Sequence, residues 1–302
     1  MNPQQRVELE AKIGSLGSVA AAPALLAPLL QMLGVPADQI PIEKVVKLIS
    51  LDPVVAAHCV HVANSPLFAR RQVETTRAAV VTLGIERVRS LLIALCMDQT
   101  IHASQWVLDR SSFWRHSLGC ALVTQAMAQI IAYPQPEKAY LAGLIHDLGF
   151  VVNSCLYNGK LQECLEFAIT RKCALHVAEE SILGFNHQDS GGILSEHWGF
   201  SEELREVVAY HHRIDDIQPA SVLVCLVHLS DLLCRVRNLS YGYEEVLAVT
   251  LGQNSAWNTL SSAYPSLSGA DFVRFVLDID GRMPQISDLV DSIFAPATRA
   301  AR

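Results

Sequence analysis

The sequence lacks several features that would place it in a familiar class of protein. It contains no run of lysine or arginine, and 30 acidic residues outnumber 23 basic ones, giving a net charge of -7 and a pI of about 5.9. Such a charge balance disfavours contact with phosphate backbones, so nucleic-acid binding is not expected. The eight cysteines form no C-x-x-C pair, and several stand among apolar residues. This pattern is typical of reduced core thiols in a cytoplasmic protein.

Long uninterrupted apolar runs are also missing. The N-terminal segment MNPQQRVELEAK has mixed charge and no apolar signal core. The longest apolar stretch, residues 19–35, is interrupted by two prolines, a glutamine and a glycine, so a membrane span is not expected. Hydrophobic residues are nonetheless abundant, at 51% of the chain with a mean hydropathy of +0.27. This composition predicts a large core or an apolar interface, which leaves homo-oligomer formation open.

Strict alternation of apolar and polar residues is scarce, and apolar residues instead recur at spacings of three and four. This periodicity predicts an all-α protein. Short helices are expected across the first forty residues, around Pro23 and Pro28. Ser111 or Ser112 is expected to cap a long helix, and Asn186 another. The expected parts are an N-terminal helical part over residues 1–105, a helical core over 106–237 and a C-terminal helical extension over 238–302.

A histidine and an aspartate, His146 and Asp147, stand side by side in the apolar stretch LAGLIHDLGF, which reads as part of one helix. Burying both is costly unless each has a partner, and a divalent metal can serve both. Other histidines and one aspartate lie on apolar faces of nearby predicted helices. The candidate metal ligands are His116, His146, Asp147, His187, His211, His212 and Asp231. Seven groups exceed the need of one ion, so we consider two ions with Asp147 as the bridging carboxylate.

The adjacent residues His211 and His212 diverge by about 100° if both are helical. They could then reach different ions, or one of them could face another way.

The order of the seven residues resembles the HD superfamily of metal-dependent phosphohydrolases, whose signature is H…HD…H…HH…D. More specifically, the chain is similar to HDOD proteins, the HD-related output domains of bacterial signalling. The similar segments are LISLDPVVAAHCVHVANSPLF, TTRAAVVTLGIERVRSLLI, GLIHDLGF, LGFNHQDSGGILSEHWGF and AYHH. The resemblance implies a multi-helix HD-superfamily bundle with an N-terminal helical subdomain, and it makes all seven residues metal ligands. The divalent metal is left open among Fe, Mn, Zn and Ni.

Several positions depart from the catalytic relatives, the HD-GYP cyclic-dinucleotide phosphodiesterases. Phe150 stands where those enzymes have a lysine, three residues after the HD aspartate. Ser112 replaces a glutamate, and RIDDIQP replaces the GYP loop after the double histidine. A lysine near the substrate phosphate would stabilise charge that develops in the transition state. Its replacement by phenylalanine favours metal binding without catalysis.

The leading hypothesis is a cytoplasmic bacterial signal-transduction protein that acts mainly through contacts with signalling protein partners and retains a metal site. One alternative is a metal-dependent phosphohydrolase or phosphodiesterase acting on a nucleotide or cyclic dinucleotide. Another is a di-iron sensor of redox state or dioxygen. Metal content, turnover of a phosphodiester and visible absorption would separate the three hypotheses.

Overall fold

The regular elements of the chain are helices. The computed structural model describes residues 1–19, 35, 39–50, 53–68, 72–100, 106–217, 221–243, 245, 254–264, 267 and 272–293. Within these ranges no strand is present, so the all-α prediction is confirmed. The helices, numbered in chain order, are α1 (Pro3–Val19), α2 (Ile42–Ile49), α3 (Pro53–Ala63), α4 (Thr76–Leu83), α5 (Ile85–Thr100), α6 (Arg110–Ile130), α7 (Pro136–Ile145), α8 (Leu148–Leu156), α9 (Asn158–Arg171), α10 (Leu175–Leu183), α11 (His187–His197), α12 (Glu202–Tyr210), α13 (Val222–Val236), α14 (Ser255–Ala263), α15 (Phe272–Asp280) and α16 (Met283–Ile293). The helices predicted around Pro23 and Pro28 fall outside the described residues.

Two hydrophobic cores organise these helices. The smaller core is built from α2 to α5, with side chains such as Ile49 and Leu83 almost fully buried. The larger core contains α6 to α16 and also receives Leu9 from α1. The side chains of Phe68 and Trp198 pack against both cores and so join them. The predicted division at residues 105 and 237 stays a prediction.

Helix α6 runs through the larger core. It spans 21 residues and packs against α7, α13 and the C-terminal helices α15 and α16. A helix buried on nearly all sides needs apolar residues all round, as α6 has over most of its length. The N-terminal cap of α6 is Asp109 and not the predicted Ser111 or Ser112. The Asp109 carboxylate accepts from the backbone amide of Ser112 at 2.8 Å and from the hydroxyls of Ser111 and Ser112.

The stretch LAGLIHDLGF is not part of a single helix, which corrects the sequence interpretation. Helix α7 ends at Ile145 and α8 begins at Leu148, so His146 and Asp147 form the turn between them. The imidazole Nδ1 of His146 donates to the carbonyl of Gly143 at 2.8 Å. In a continuous helix that carbonyl would pair with the amide of Asp147. The turn lets both side chains leave the helix surface in one direction.

Residues 136–156, which contain this turn, are long and apolar enough to cross a membrane by composition. However, 89% of the most apolar window is buried inside the fold. The stretch therefore forms part of the larger hydrophobic core.

Candidate metal centre

The seven side chains predicted as ligands meet at one buried place. Their sources are α6 (His116), the α7–α8 turn (His146 and Asp147), the first residue of α11 (His187), the residues that follow α12 (His211 and His212) and α13 (Asp231). All seven side chains are buried, with between 0% and 8% of each exposed. The structure thus brings together every sequence-predicted site residue.

The Asp147 carboxylate lies at the centre of the cluster. Its Oδ2 atom lies 3.1 Å from Nε2 of His146 and 3.6 Å from Nε2 of His116. Its Oδ1 atom lies 3.4 Å from Nε2 of His187 and 3.5 Å from Nε2 of His211. Each oxygen therefore faces a different pair of histidines, which is the arrangement that a bridging carboxylate needs.

The second carboxylate, Asp231, also spans two neighbours. Its Oδ1 lies 3.3 Å from Nε2 of His116, and its Oδ2 lies 3.5 Å from Nδ1 of His212. The two adjacent histidines therefore reach different carboxylates, because His211 points to Asp147 and His212 to Asp231. Neither of them faces away from the cluster.

Hydrogen bonds fix the imidazole orientations. In three of the histidines, Nδ1 lies within hydrogen-bond distance of a backbone carbonyl, and a carbonyl can only accept. The pairs are His116 with Leu239 at 2.7 Å, His146 with Gly143 at 2.8 Å and His211 with Val207 at 3.1 Å. Each Nδ1 therefore carries the hydrogen, and Nε2 keeps its lone pair when the ring is neutral. Such support by a backbone carbonyl is typical of metal-bound histidine.

The fourth histidine, His187, is oriented by a buried carboxylate. Glu179 of α10 is 0% exposed and accepts from the Nδ1 and backbone amide of His187 at 2.6 and 2.9 Å. Asn153 also donates to it, at 2.9 Å. Burial lowers the pKa of His187, but the neighbouring Glu179 outweighs this and raises it to about 9. Sequence reasoning missed Glu179; its signal was an acidic residue on the buried face of an amphipathic helix.

The charge states of the two aspartates and the two adjacent histidines suit a cation. Burial tends to raise the pKa of Asp147 and Asp231, but the imidazoles around Asp147 and the guanidinium of Arg235 beside Asp231 hold both well below the usual range. Both carboxylates are thus ionised. Burial lowers the pKa of His211 to about 4 and that of His212 well below its ordinary value, so both rings are neutral at pH 7.

Several buried polar atoms in this cluster have no hydrogen-bond partner among the described residues. They are Nε2 of His146, His187 and His211, and Oδ1 of Asp147 and Asp231. Each orphaned buried group costs about 1–3 kcal/mol. Five such atoms directed at one another would be satisfied together by a divalent cation with nitrogen and oxygen ligands. The residues present therefore fit a metal, and the cluster has the composition of a site that can bind one.

Aromatic side chains close the site. The hydroxyl of Tyr241 donates to Oδ2 of Asp147, and its ring centroid lies 4.6 Å from that of His116. Phe150 is 2% exposed and stacks on Phe113 with centroids 5.3 Å apart. Tyr241 was missed because it lies in the irregular segment after α13, where no periodicity marks a buried position.

Three further residues that were not predicted as ligands contact the cluster. Arg235 donates to Oδ2 of Asp231 at 3.1 Å and pairs with Glu245. His176 stacks on His212 with ring centroids 4.2 Å apart, and Nδ1 of His228 donates to the carbonyl of His211 at 2.7 Å.

A glycine contact holds α8 against α11. A Cβ atom at Gly149 would lie 1.7 Å from the carbonyl oxygen of His187, and one at Gly191 would lie 2.6 Å from Cγ1 of Val208 and 2.9 Å from the Gly149 amide nitrogen. The two glycines therefore allow the helices to pack closely. Because α8 follows Asp147 and α11 begins at His187, this contact sets the spacing between the two side chains.

Comparisons with known proteins identify relatives of the chain. Residues 20–214 match the model of the HDOD domain family. An HDOD domain protein of unknown function from Geobacter sulfurreducens has a similar crystal structure, with a TM-score of 0.75, 26% identity, and coverage of 95% of this chain and 99% of the other. A "Putative signal transduction protein" from Marinobacter aquaeolei VT8 has a TM-score of 0.72 and 20% identity, with coverage of 96% and 65%. A "Putative phosphohydrolase" from Shewanella amazonensis SB2B has a TM-score of 0.68 and 19% identity, with coverage of 94% and 98%.

Among curated proteins, an uncharacterised protein of Treponema pallidum is 22% identical over 214 residues. The match covers 67% of this chain but only 40% of that relative. The family model spans well over half of the 302 residues, and the structural match to the Geobacter protein covers nearly all of both chains. The chain therefore belongs to the HDOD family.

Proposed function

We propose that this HDOD protein is a bacterial, cytoplasmic regulatory protein that acts through contacts with signalling proteins and carries a closed dinuclear metal centre. The seven ligands would be His116, His146, Asp147, His187, His211, His212 and Asp231. The two oxygens of Asp147 would contact different ions. The metal would cross-link five helical segments, so its uptake would change the rigidity of the core on which the partner contacts depend.

The observation that carries this proposal is a complete ligand set inside a closed core. The ligand side chains are almost fully buried, and Tyr241 donates to the central carboxylate of Asp147. Phe150 stands where the HD-GYP phosphodiesterases have a lysine, and it packs into the core on Phe113. The cation seen to contact a ligand carboxylate is Arg235, which is 6% exposed and also paired with Glu245. A substrate phosphate would need an opening to the ions, so this packing favours metal binding without turnover.

The experiment compares metal content with turnover. Purified protein is analysed for Fe, Mn, Zn and Ni, loaded with each, and assayed with a generic phosphodiester and with cyclic dinucleotides. We expect bound metal and no turnover above a metal-only blank. Turnover that is abolished by Asp147→Ala would overturn the regulatory proposal.

The partner contact is supported by apolar residues that remain on the surface. Leu277 on α15 is 60% exposed, in a helix whose opposite face packs into the larger core. Val273, four residues earlier on the same face of α15, is 58% exposed, and neighbouring exposed apolar side chains of this kind are a candidate for contact with a protein. Capture experiments should compare the full chain with Leu277→Glu and with Val81→Glu, a matched variant at a 62% exposed site on α4. Selective loss of a captured protein in Leu277→Glu is expected, and equal capture by all three would contradict a contact there.

The rival function is a metal-dependent phosphohydrolase, and one observation favours it. The full ligand set is present, and each oxygen of Asp147 faces its own pair of histidines. When bound, a pair of ions supplies Lewis acidity and lowers the pKa of a bound water. The chain's own residues would hold the ions and, through Glu179, orient His187. The turnover assay above decides between the two functions.

A further inference from the structure

A cysteine lies beside the predicted ligands and was first interpreted as a core residue. Cys120 follows His116 by four residues on α6, and this spacing places both side chains on one face of the helix. The thiol is fully buried. Its Sγ atom lies 3.6 Å from Nε2 of His116, the nitrogen directed into the cluster.

We infer that Cys120 is a thiolate ligand to one of the two ions, together with His116, His146 and Asp231. This inference rests on the proposed metal centre. One ligand atom from each of these four residues lies within 4.8 Å of the others. The remaining predicted ligands form a second group with nitrogen and oxygen atoms alone, composed of Asp147, His187, His211 and His212.

Two of the ligand-atom distances in the first group equal edges of a tetrahedral metal shell. Zinc binds sulfur at about 2.3 Å and imidazole nitrogen or carboxylate oxygen at about 2.0–2.1 Å, so tetrahedral edges are about 3.6 Å for S–N and about 3.3 Å for N–O pairs. The Cys120 Sγ to His116 Nε2 distance is 3.6 Å, and the His116 Nε2 to Asp231 Oδ1 distance is 3.3 Å. Only the first of these edges involves the thiol, and Cys120 Sγ also lies 3.9 Å from Nδ1 of His116. The thiol therefore lies beside the imidazole ring and would turn toward the Nε2 side on binding the ion.

Two unsatisfied atoms point to a ligand independently of the cysteine. Nε2 of His146 and Oδ1 of Asp231 have no hydrogen-bond partner among the described residues, and both residues are 0% exposed. A thiol is a weak hydrogen-bond donor and satisfies neither of them well. A cation held between Cys120, His116 and these two atoms would satisfy all four groups.

The two ion positions would then differ chemically. Thiolate favours softer ions such as zinc or iron, whereas ligands of nitrogen and oxygen alone accept a wider range that includes manganese. The four ligands of the first group and the shared carboxylate of Asp147 would surround this ion with protein atoms, as in closed structural sites. The position at Cys120 would therefore be structural, and an exchangeable ion would occupy the second group.

Cobalt substitution of the full chain tests this inference, because a thiolate bound to Co(II) gives a near-ultraviolet charge-transfer band. The metal-free protein is titrated with Co(II) in three forms: wild type, Cys120→Ser and Cys234→Ser. Cys234 is a matched control, since it is buried with its thiol in contact with that of Cys120 but lies outside both ligand groups. We expect the band in the wild type and in Cys234→Ser, and its loss in Cys120→Ser, which should still bind one cobalt ion.

The outcomes separate this inference from the proposed function. Cobalt uptake by the wild type without the band, or a band that persists in Cys120→Ser, would overturn the role of Cys120 alone. Absence of cobalt uptake by the wild type would overturn the metal centre itself. X-ray absorption on the zinc-loaded wild type needs no variant and should show sulfur at about 2.3 Å from the metal. Its absence would also overturn the inference.

Discussion

The contact between α8 and α11 leads to a specific prediction about how the fold positions the metal ligands. In Gly149→Ala, the new methyl would lie 1.7 Å from the carbonyl oxygen of His187, whereas ordinary contacts begin at 3.4 Å. The two helices must therefore separate by about 1.7 Å, and the partner atom is backbone that cannot rotate away. Overpacking a well-packed core costs about 1–3 kcal/mol, and a backbone clash belongs at or above the top of that range. We expect the free energy of unfolding to fall by about 3 kcal/mol or more.

The same displacement should damage metal binding. Asp147 immediately precedes α8 and His187 begins α11, so separating the helices widens the distance of 3.4 Å between Asp147 Oδ1 and His187 Nε2. Ligands must be held to within about 0.5 Å of productive geometry. The variant should therefore lose stoichiometric binding to the second ligand group, even where it remains folded.

Urea unfolding of the metal-free protein and metal analysis after reconstitution measure the two effects. Gly14→Ala in α1 is the control, because a Cβ there meets nothing within 4 Å and alanine stabilises a helix by about 0.5–1 kcal/mol relative to glycine. The free energy of unfolding of Gly191→Ala should fall between those of the other two variants, since the closest contact of the new Cβ is a Val208 methyl. Wild-type stability and metal content in Gly149→Ala would refute the proposed dependence of the site on this contact.

The remaining predictions concern side chains around the ligands. Glu179→Gln should weaken metal binding by about 10–100-fold in a chelator competition, because the charged partner of His187 is lost. Its control, Glu163→Gln on the surface of α9, should bind metal as the wild type does. Phe150→Lys should produce no phosphodiesterase activity and should lower the free energy of unfolding by about 3–5 kcal/mol, because the side chain is buried. Tyr241→Phe should cost the metal-free protein about 1–3 kcal/mol in urea unfolding, since it removes the hydroxyl that donates to Asp147.

Each of these has an outcome that contradicts it. Unchanged affinity in Glu179→Gln would mean that this carboxylate does not support the metal. Turnover gained by Phe150→Lys would show that the residue faces a substrate rather than the core. Wild-type stability of metal-free Tyr241→Phe would mean that the hydroxyl contributes nothing to Asp147.

The positions of the seven predicted ligands could be anticipated from sequence because polar residues on apolar helices are costly, and their order matched a known signature. The residues that orient these ligands could not be anticipated. Glu179 shares a helix face with Leu175 and Ala178, but this spacing does not say which ligand its carboxylate orients. Tyr241 reaches the site from an irregular segment, whose direction is set by tertiary packing. The break at His146 and Asp147 was missed because apolar spacing continues through it, and periodicity does not report the side-chain hydrogen bond to Gly143 that accompanies it.

The role of Cys120 was also beyond sequence reasoning. Its spacing from His116 was visible, but a buried cysteine in an apolar helix is usually a small core residue. Its place in one cluster of ligand atoms with His116, and the unsatisfied atoms of His146 and Asp231, distinguish a ligand from a packing residue.

Metal content of the purified protein and of Asp147→Ala, measured by elemental analysis after reconstitution and removal of loosely bound ions, tests the central claim most directly. The proposed centre predicts two ions per wild-type chain. It also predicts loss of the ion in the second group when Asp147 is removed, because that carboxylate is one of the group's four ligands. A wild-type chain that retains no metal, or an Asp147→Ala chain that retains as much as the wild type, would contradict it.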